Sequence, residues 1–226
     1  MDLLAAIHAR HSVRSYIDRP IEGEASDVLR LAVKKASEGS GLEFQLHLEE
    51  PDAFSCLLAR LGKFRGVRNY IAAVGPKGGS RELSELCGYY GEQVVLMAQA
   101  VGLNTCWVGL TCRRRPEALG LSAGQRPYIV IAVGYGEDQG VPHVSRPRER
   151  VMKASGPVPE WFARGVDAAL LAPTAMNQQK FLLELDGDRA RATAGLGFYS
   201  SMDLGIVKRH FEIGSGRGRD VWLPSR

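Results

Sequence analysis

Apolar residues recur three or four positions apart in five segments of the chain, the spacing of one face of an α-helix. Gly102 follows the longest segment and Pro173 follows a later one, and both residue types commonly stand just beyond a helix end. Pro159 and Glu160 suit the first turn of that later helix. The predicted helices cover residues 2–9, 24–37, 83–101, 159–172 and 200–213.

Short apolar or alternating runs between these helices predict β-strands. Phe44, Leu46 and Leu48 alternate with polar residues, as in a strand with one buried face. The runs at 105–109 and 128–135 are almost wholly apolar, which is typical of central strands buried on both faces. The whole pattern predicts a mixed α+β fold, a sheet flanked by helices. The predicted strands cover residues 43–48, 70–74, 105–109, 128–135, 180–185 and, as a last candidate, 221–223.

The two ends of the chain share a series of similar segments in the same order. In residues 35–44 and again in residues 172–181, small polar residues follow a helix and lead into a strand that starts with an aromatic residue. We therefore predict two degenerate copies of a helix–strand–helix–strand unit, residues 1–150 and the shorter 151–226, in one integrated domain. The chain would be a single-chain pseudo-dimer. The matched pairs are 35–44 with 172–181, 88–90 with 197–199, and 104–107 with 219–222.

Composition and charge narrow the class of protein. The chain has 226 residues, 45% of them hydrophobic, which is enough for a sizeable core. A net charge of +4 suits an anionic ligand but, without interleaved aromatics, is weak support for nucleic-acid binding. The four cysteines form no C-x-x-C pair, which predicts reduced thiols rather than disulfides or a metal site. We found neither a signal-peptide pattern nor a membrane-length apolar run, so we expect a cytoplasmic protein.

Two polar clusters interrupt this regular pattern. The first is Arg10-His11-Ser12-Val13-Arg14, and the second is the decapeptide APTAMNQQKF at residues 172–181. Each has an ordinary structural interpretation, since the first suits a solvated helix end with a serine cap and the second a helix stop and turn. A third cluster, Arg113-Arg114-Arg115-Pro116, suits either a basic interaction patch or a solvated loop.

Taken together with the helix end and strand at residues 99–109, the first two clusters resemble the FMN-dependent nitroreductase family, most closely its putative-nitroreductase branch. Members of that family are usually homodimers with FMN at the subunit interface. One subunit supplies an R-x-S-x-R-like segment and the other a loop of small residues, Asn and Gln. The resemblance implies that copy two of this chain supplies the partner's loop, so that the chain is a monomer or a weak homodimer.

The resemblance also implies which residues would hold FMN. Arginines and a serine near the N-terminus would bind the phosphate, with two further arginines closing the cage. Backbone amides at the end of a buried strand would face the ring, and the second cluster would pair with the ring's polar edge. The predicted cofactor-binding residues are Arg10, His11, Ser12, Arg14, Trp107, Val108, Gly109, Arg146, Arg148, Pro173, Thr174, Ala175 and Asn177.

By the same resemblance, the protein would transfer hydride from NAD(P)H to FMN and then to a nitro compound, a quinone or a related small acceptor. Because the flavin carries this chemistry, we predict no catalytic side chain and no metal. An FMN-binding protein without turnover is the alternative. It arises because Gln179-Lys180 stands where relatives commonly place Pro-Trp.

Overall fold

The computed structural model describes residues 1–51, 63–109 and 119–224. The helices are α1 (Leu3–Ala9), α2 (Gly23–Ser40), α3 (Arg81–Ala100), α4 (Glu160–Leu170) and α5 (Ser200–Ser215). The strands are β1 (Glu43–His47), β2 (Asn69–Pro76), β3 (Asn104–Val108), β4 (Gln125–Gly134), β5 (Met152–Lys153), β6 (Phe181–Asp186) and β7 (Arg189–Ala194). Short 3₁₀ turns lie at Arg148–Arg150, Ala175–Asn177 and Arg219–Val221. The predicted mixed α+β class is confirmed.

The larger sheet contains four antiparallel strands in the order β1-β2-β4-β3. Side chains alternate between its faces, so Ile71 and Ile131 pack against α2 and α3, whereas Tyr70 and Ala132 face the opposite side. Because both faces are covered, β2 and β4 are almost continuously buried. The predicted central position is therefore confirmed for β4, whereas β3 lies at the edge of this sheet.

The smaller sheet holds β6 and β7 as an antiparallel pair, with β5 parallel to β6. Helices α4 and α5 cover it around a core that contains Phe162, Leu183 and Phe211. Trp107 of β3 packs against this core and against the core of the larger sheet. The two sheets and their helices therefore adjoin at the end of β3.

Helices α3 and α5 join the two halves by a very close crossing. A Cβ atom added to Gly88 would lie 1.9 Å from the Met202 carbonyl oxygen, and one added to Gly205 would lie 1.9 Å from that of Glu85. No side chain larger than hydrogen fits at either glycine without moving a helix backbone. The crossing is reciprocal, because Gly88 contacts Met202, three residues before Gly205, and Gly205 contacts Glu85, three residues before Gly88.

The order of elements differs from the predicted repeat unit. Both halves follow helix–strand–strand–helix, as α2-β1-β2-α3 and as α4-β6-β7-α5, whereas the sequence predicted helix–strand–helix–strand. In the second half the difference arises at β7, which the pattern missed, whereas in the first half both strands were predicted and only the repeat unit was stated wrongly. The β7 sequence RARATA has little strand preference, and the strand forms because it pairs along its whole length with β6.

The last candidate strand, 221–223, was also wrong. Residues 219–221 form a 3₁₀ turn, and Trp222 makes a single bridge to Ala190. Cys87 and Cys106 are buried, while Cys56, Cys112 and the 113–116 cluster lie outside the described residues. Among the described helices, none has the length and apolar character that crossing a membrane requires.

Candidate active site

The segment of residues 10–14 lies along the outer edge of β3. Helix α1 ends before Arg10, and Val13 donates its backbone N–H to the Thr105 carbonyl at 3.1 Å. A parallel bridge between Ser12 and Thr105 fixes this register. Because alternate strand residues direct their backbone groups to the same edge, the amide of Trp107 also faces the side on which this segment lies. The predicted segment and strand are therefore neighbours.

Arg10 is buried, with only 3% of its surface exposed. Its Nε lies 3.9 Å from Glu92 Oε1, too far for a hydrogen bond, and neither Nε nor Nη1 has a hydrogen-bond partner in the described structure. Desolvation lowers the pKa of Arg10, a direction that the nearby Glu92 carboxylate opposes. A buried guanidinium with unpaired donors is costly, and it marks a place where an acceptor is needed.

Glu92 cannot neutralise Arg10 fully, because other donors occupy its oxygens. His210 Nε2 lies 2.8 Å from Oε1, and the Trp107 indole Nε1 donates to Oε2 at 2.9 Å. His210 Nδ1 lies 3.0 Å from the carbonyl oxygen of Ala168. Both neighbours of this imidazole are hydrogen-bond acceptors, and His210 and the Trp107 indole lie closer to Glu92 than Arg10 does. The unpaired donors of Arg10 fit an anion.

Within the segment of residues 10–14, Ser12 and Arg14 line a cleft of about 640 Å³. We call it the cationic cleft, because three of its lining side chains are cations. His11 lies beside it, against Gly140, and desolvation together with Arg10 and His143 lowers the pKa of His11. The described lining comprises Ser12, Arg14, Ser15, Lys63, Phe64, Arg65, Asp138, Gly140 and Val141.

The second polar cluster forms a tight loop between α4 and β6. Met176, Asn177 and Gln179 all have positive φ angles, of 52°, 52° and 44°, a conformation that costs non-glycine residues energy. Asn177 Nδ2 and Gln179 Nε2 both donate to the Val144 carbonyl, at 3.0 and 2.9 Å. The Arg146 backbone N–H donates to Gln179 Oε1 at 2.8 Å. The loop is therefore fastened to residues 144–146.

Asp203 holds the other side of this loop from the first turn of α5. Its Oδ1 accepts from the Ala175 N–H at 3.0 Å, and its Oδ2 accepts from Gln178 Nε2 at 2.6 Å. The carboxyl is buried, and desolvation raises its pKa to about 6, although both hydrogen bonds act in the opposite direction. Asp203 is a functional candidate that the sequence pattern did not single out.

One stretch of chain connects the two polar clusters. Gly140 lies so close to the first cluster that an added Cβ would be 2.8 Å from His11 Cβ, and Val144 accepts two bonds from the loop. Residues 140–144 therefore run from the cationic cleft to the loop. However, Pro173, Thr174, Ala175 and Asn177 do not line the cleft itself.

Other predicted residues have different surroundings from those expected. Arg148 forms a two-bond ion pair with Asp167 of α4 and does not line the cleft. The Arg146 side chain is exposed, and that of Val108 is buried in the core, so only the Val108 backbone, as predicted, could face a flavin. The Trp107 indole points to Glu92, so only its backbone can serve as predicted.

Several candidate residues were missed by sequence reasoning. Glu92 gave one usable signal, a carboxylate next to the apolar stripe of α3. Lys63 and Arg65 gave no such signal, because only the folded chain brings them beside Arg14 in the cationic cleft. His210 looked like an ordinary polar position of its helix.

Comparisons with known proteins agree with this fold. Residues 2–215 match the family model described as "Putative TM nitroreductase". A "putative nitroreductase" structure from Thermotoga maritima MSB8 is 22% identical, with a TM-score of 0.67, and the match covers 95% of this chain and 83% of that one. No curated protein matches significantly.

Two further structures match a smaller part of this chain. A "putative nitroreductase in complex with FMN" from Desulfovibrio desulfuricans is 21% identical over 70% of this chain and 99% of that one, with a TM-score of 0.55. A "putative NADH dehydrogenase/NAD(P)H nitroreductase" from Parabacteroides distasonis ATCC 8503 is 25% identical over 66% and 95%, with a TM-score of 0.51. Because the family match spans nearly the whole chain, this protein belongs to the family described as "Putative TM nitroreductase".

Proposed function

We propose that this protein is an FMN-dependent oxidoreductase that uses NAD(P)H to reduce a nitro compound, a quinone or a related small acceptor. Family membership supports oxidoreductase chemistry, and one similar structure contains FMN. The observation that carries the proposal is the buried Arg10, whose Nε and Nη1 lack partners. A phosphate dianion offers the acceptors that these donors need.

In this proposal, Arg10, Ser12 and Arg14 bind the FMN phosphate, and the backbone beside Trp107 faces the ring. When bound, FMN would supply the hydride chemistry, and the protein's part would be to bind and orient it. The loop of residues 172–180 would approach the ring with small side chains. Asp203 and Gln179 would hold that loop in shape through the bonds described above.

We also propose that the second half of the chain replaces the partner subunit. The helix–strand–strand–helix order of both halves and the reciprocal crossing at Gly88 and Gly205 support this view, because reciprocal contacts are typical of twofold interfaces. The two shorter relatives match about two thirds of this chain over almost their full length. The remainder corresponds in size to the predicted copy two, residues 151–226, and we propose a monomer or a weak homodimer.

One observation favours an FMN-binding protein without turnover as the second candidate. Both polar atoms of the Asn177 amide already have partners, since Nδ2 donates to Val144 and Oδ1 accepts from Gln179 Nε2 at 2.8 Å. A loop that bonds to itself offers fewer groups to a ring edge. In that case the flavin would bind but NAD(P)H would reduce it slowly.

Flavin extraction followed by anaerobic reduction tests the proposal. We expect the purified protein to be yellow, to release FMN on denaturation and to lose its colour when NADH or NADPH is added. Retained colour with excess NAD(P)H would favour the second candidate. Protein that neither contains FMN nor takes it up on reconstitution would contradict both.

A further inference from the structure

The buried carboxylate of Glu92 joins groups from both halves of the chain. Glu92 lies on α3, is 0% exposed and contacts side chains from three other segments. Trp107 of β3 donates its indole N–H to Oε2 at 2.9 Å, and Nε2 of His210 in α5 lies 2.8 Å from Oε1. Arg10, just after α1, completes the set with its Nε at 3.9 Å from Oε1. Because the carboxylate is buried, a charge there acts on its neighbours with little screening by solvent and salt.

Glu92 supplies the counter-charge of Arg10 in the ligand-free protein. Among the residues that the structure describes, it is the only carboxylate within 4.0 Å of the Arg10 guanidinium. The contact is long, and Arg10 Nε and Nη1 donate no hydrogen bond to it or to any other described group. Glu92 therefore offsets part of the cost of burying Arg10, while it leaves these two donors available to a ligand.

The negative charge of Glu92 is not needed to hold its other two partners. After Glu92→Gln, the side-chain oxygen could still accept from the Trp107 indole, and the new NH2 group could donate to His210 Nε2. The proton of His210 would then be on Nδ1, where the Ala168 carbonyl oxygen lies 3.0 Å away to accept it. The hydrogen bonds can thus be kept without the charge, so the charge itself acts chiefly on Arg10.

A phosphate that approaches Arg10 would also meet the charge of Glu92. Arg10 would attract it and Glu92 would repel it, because charges in a poorly screened site interact over several ångströms. A flavin without a phosphate would feel neither effect. We infer that Glu92 is a positioning residue whose buried charge stabilises ligand-free Arg10 and, by repelling the phosphate, limits how strongly the site prefers FMN to riboflavin. This inference rests on the proposed function, because it concerns the FMN phosphate at Arg10.

The test compares Glu92→Gln with a matched control, Glu212→Gln. Glu212 is also a buried carboxylate, on α5, that accepts from the Trp222 indole at 2.7 Å and lies 3.8 Å from Arg209 Nη1. None of these three residues lines the cationic cleft. The control therefore removes the same charge from the same kind of network elsewhere. The Kd values of FMN and riboflavin are measured by fluorescence titration of flavin-free protein, together with its melting temperature.

We expect Glu92→Gln to bind FMN about three- to tenfold more tightly and riboflavin as the wild type does. Its flavin-free form should melt at a lower temperature, because Arg10 has lost its counter-charge. The control should also melt lower but keep the wild-type ratio of the two Kd values. A preference for FMN that is equal to or below that of the wild type would overturn the inference, because Glu92 would then have only a structural role.

The double variant Arg10→Met/Glu92→Gln keeps the inference testable if Glu92→Gln alone folds poorly. With no charge left to compensate, the double variant should melt higher than Glu92→Gln. A melting temperature no higher than that of the single variant would contradict the pairing of Glu92 with Arg10. A wild-type protein that binds neither flavin would remove the proposed function and the preference for FMN with it, whereas these melting temperatures would still show whether Glu92 stabilises Arg10.

Discussion

At the scale of single residues, Arg10 differs from the other arginines of the proposed site in how its charge is balanced. Arg148 is exposed and has a carboxylate partner in Asp167, whereas Arg10 is buried and shares Glu92 with two closer donors. Burying a charge without full compensation destabilises the folded protein. The ligand-free protein therefore bears a cost at Arg10 that a bound anion would offset.

Replacing Arg10 separates binding from stability. In Arg10→Met the desolvated charge disappears while Glu92 keeps His210 as its partner, so we expect the melting temperature of flavin-free protein to stay unchanged or rise. FMN affinity should fall roughly ten- to hundredfold, the range of charge-assisted hydrogen bonds. Arg148→Met is the control and should retain FMN. An Arg10→Met protein that keeps its FMN affinity but loses apo stability would show that Arg10 is only structural.

At the scale of elements, the loop between α4 and β6 depends on two anchors. Gln179 and Asn177 bind it to Val144, and Asp203 of α5 binds it from the opposite side. The three positive φ angles show that the loop would not adopt this shape by local preference. Its conformation is imposed by elements distant in sequence, which makes Asp203 a positioning residue for the proposed flavin loop.

The raised pKa of Asp203 gives stability a defined pH dependence. The folded protein binds this proton more tightly than the unfolded chain, with a pKa of about 6 against 3.8. The stabilisation that the proton provides is therefore fully present below pH 3.8 and is lost as the pH rises to about 6. Between pH 5 and pH 7 the loss amounts to roughly 1 kcal/mol.

Asp203→Asn removes this titration while keeping the shape of the side chain. The measurement is the free energy of unfolding in urea at pH 5 and at pH 7 for both proteins. The wild type should lose about 1 kcal/mol more than the variant over this interval. Equal losses in the two proteins would mean that Asp203 does not titrate with a raised pKa.

At the scale of the whole molecule, the two halves meet around α3 and α5 but differ at the places where a flavin could bind. In the proposed repeat, residues 37–41 would be the counterpart of the loop between α4 and β6, yet they include no asparagine. A Cβ on Gly39 would lie 2.3 Å from the ring of Tyr90, whose hydroxyl accepts from Arg219 Nη1 at 3.2 Å. Side chains therefore occupy the space beside the counterpart loop.

From this asymmetry we expect one FMN per chain in a monomer. FMN released by denaturation of reconstituted protein is divided by chain concentration, and light scattering gives the mass in solution. A ratio near two would contradict the view that the second half only completes a single site. A ratio near one found only in a tight dimer would point instead to a site between subunits.

Local pattern alone was sufficient for most helices and strands and for the family. Helical spacing, terminal glycine and proline, and apolar runs depend on near neighbours, so the bounds of α3 and β4 followed from the sequence to within a few residues. The polar clusters at residues 10–14 and 172–181, with residues 99–109, carried the resemblance to the nitroreductase family, and the family match over residues 2–215 agrees with it.

The tertiary structure decided which polar groups are exposed, paired or buried. Glu92 and His210 are 118 positions apart, and Gln179 and Val144 are 35 apart, so no local pattern could reveal that they bond. Likewise, β7 has little strand preference and exists because β6 pairs with it. The free energy of a buried polar group depends on the partners that folding brings to it, which is why the site's balance of charge became visible only in three dimensions.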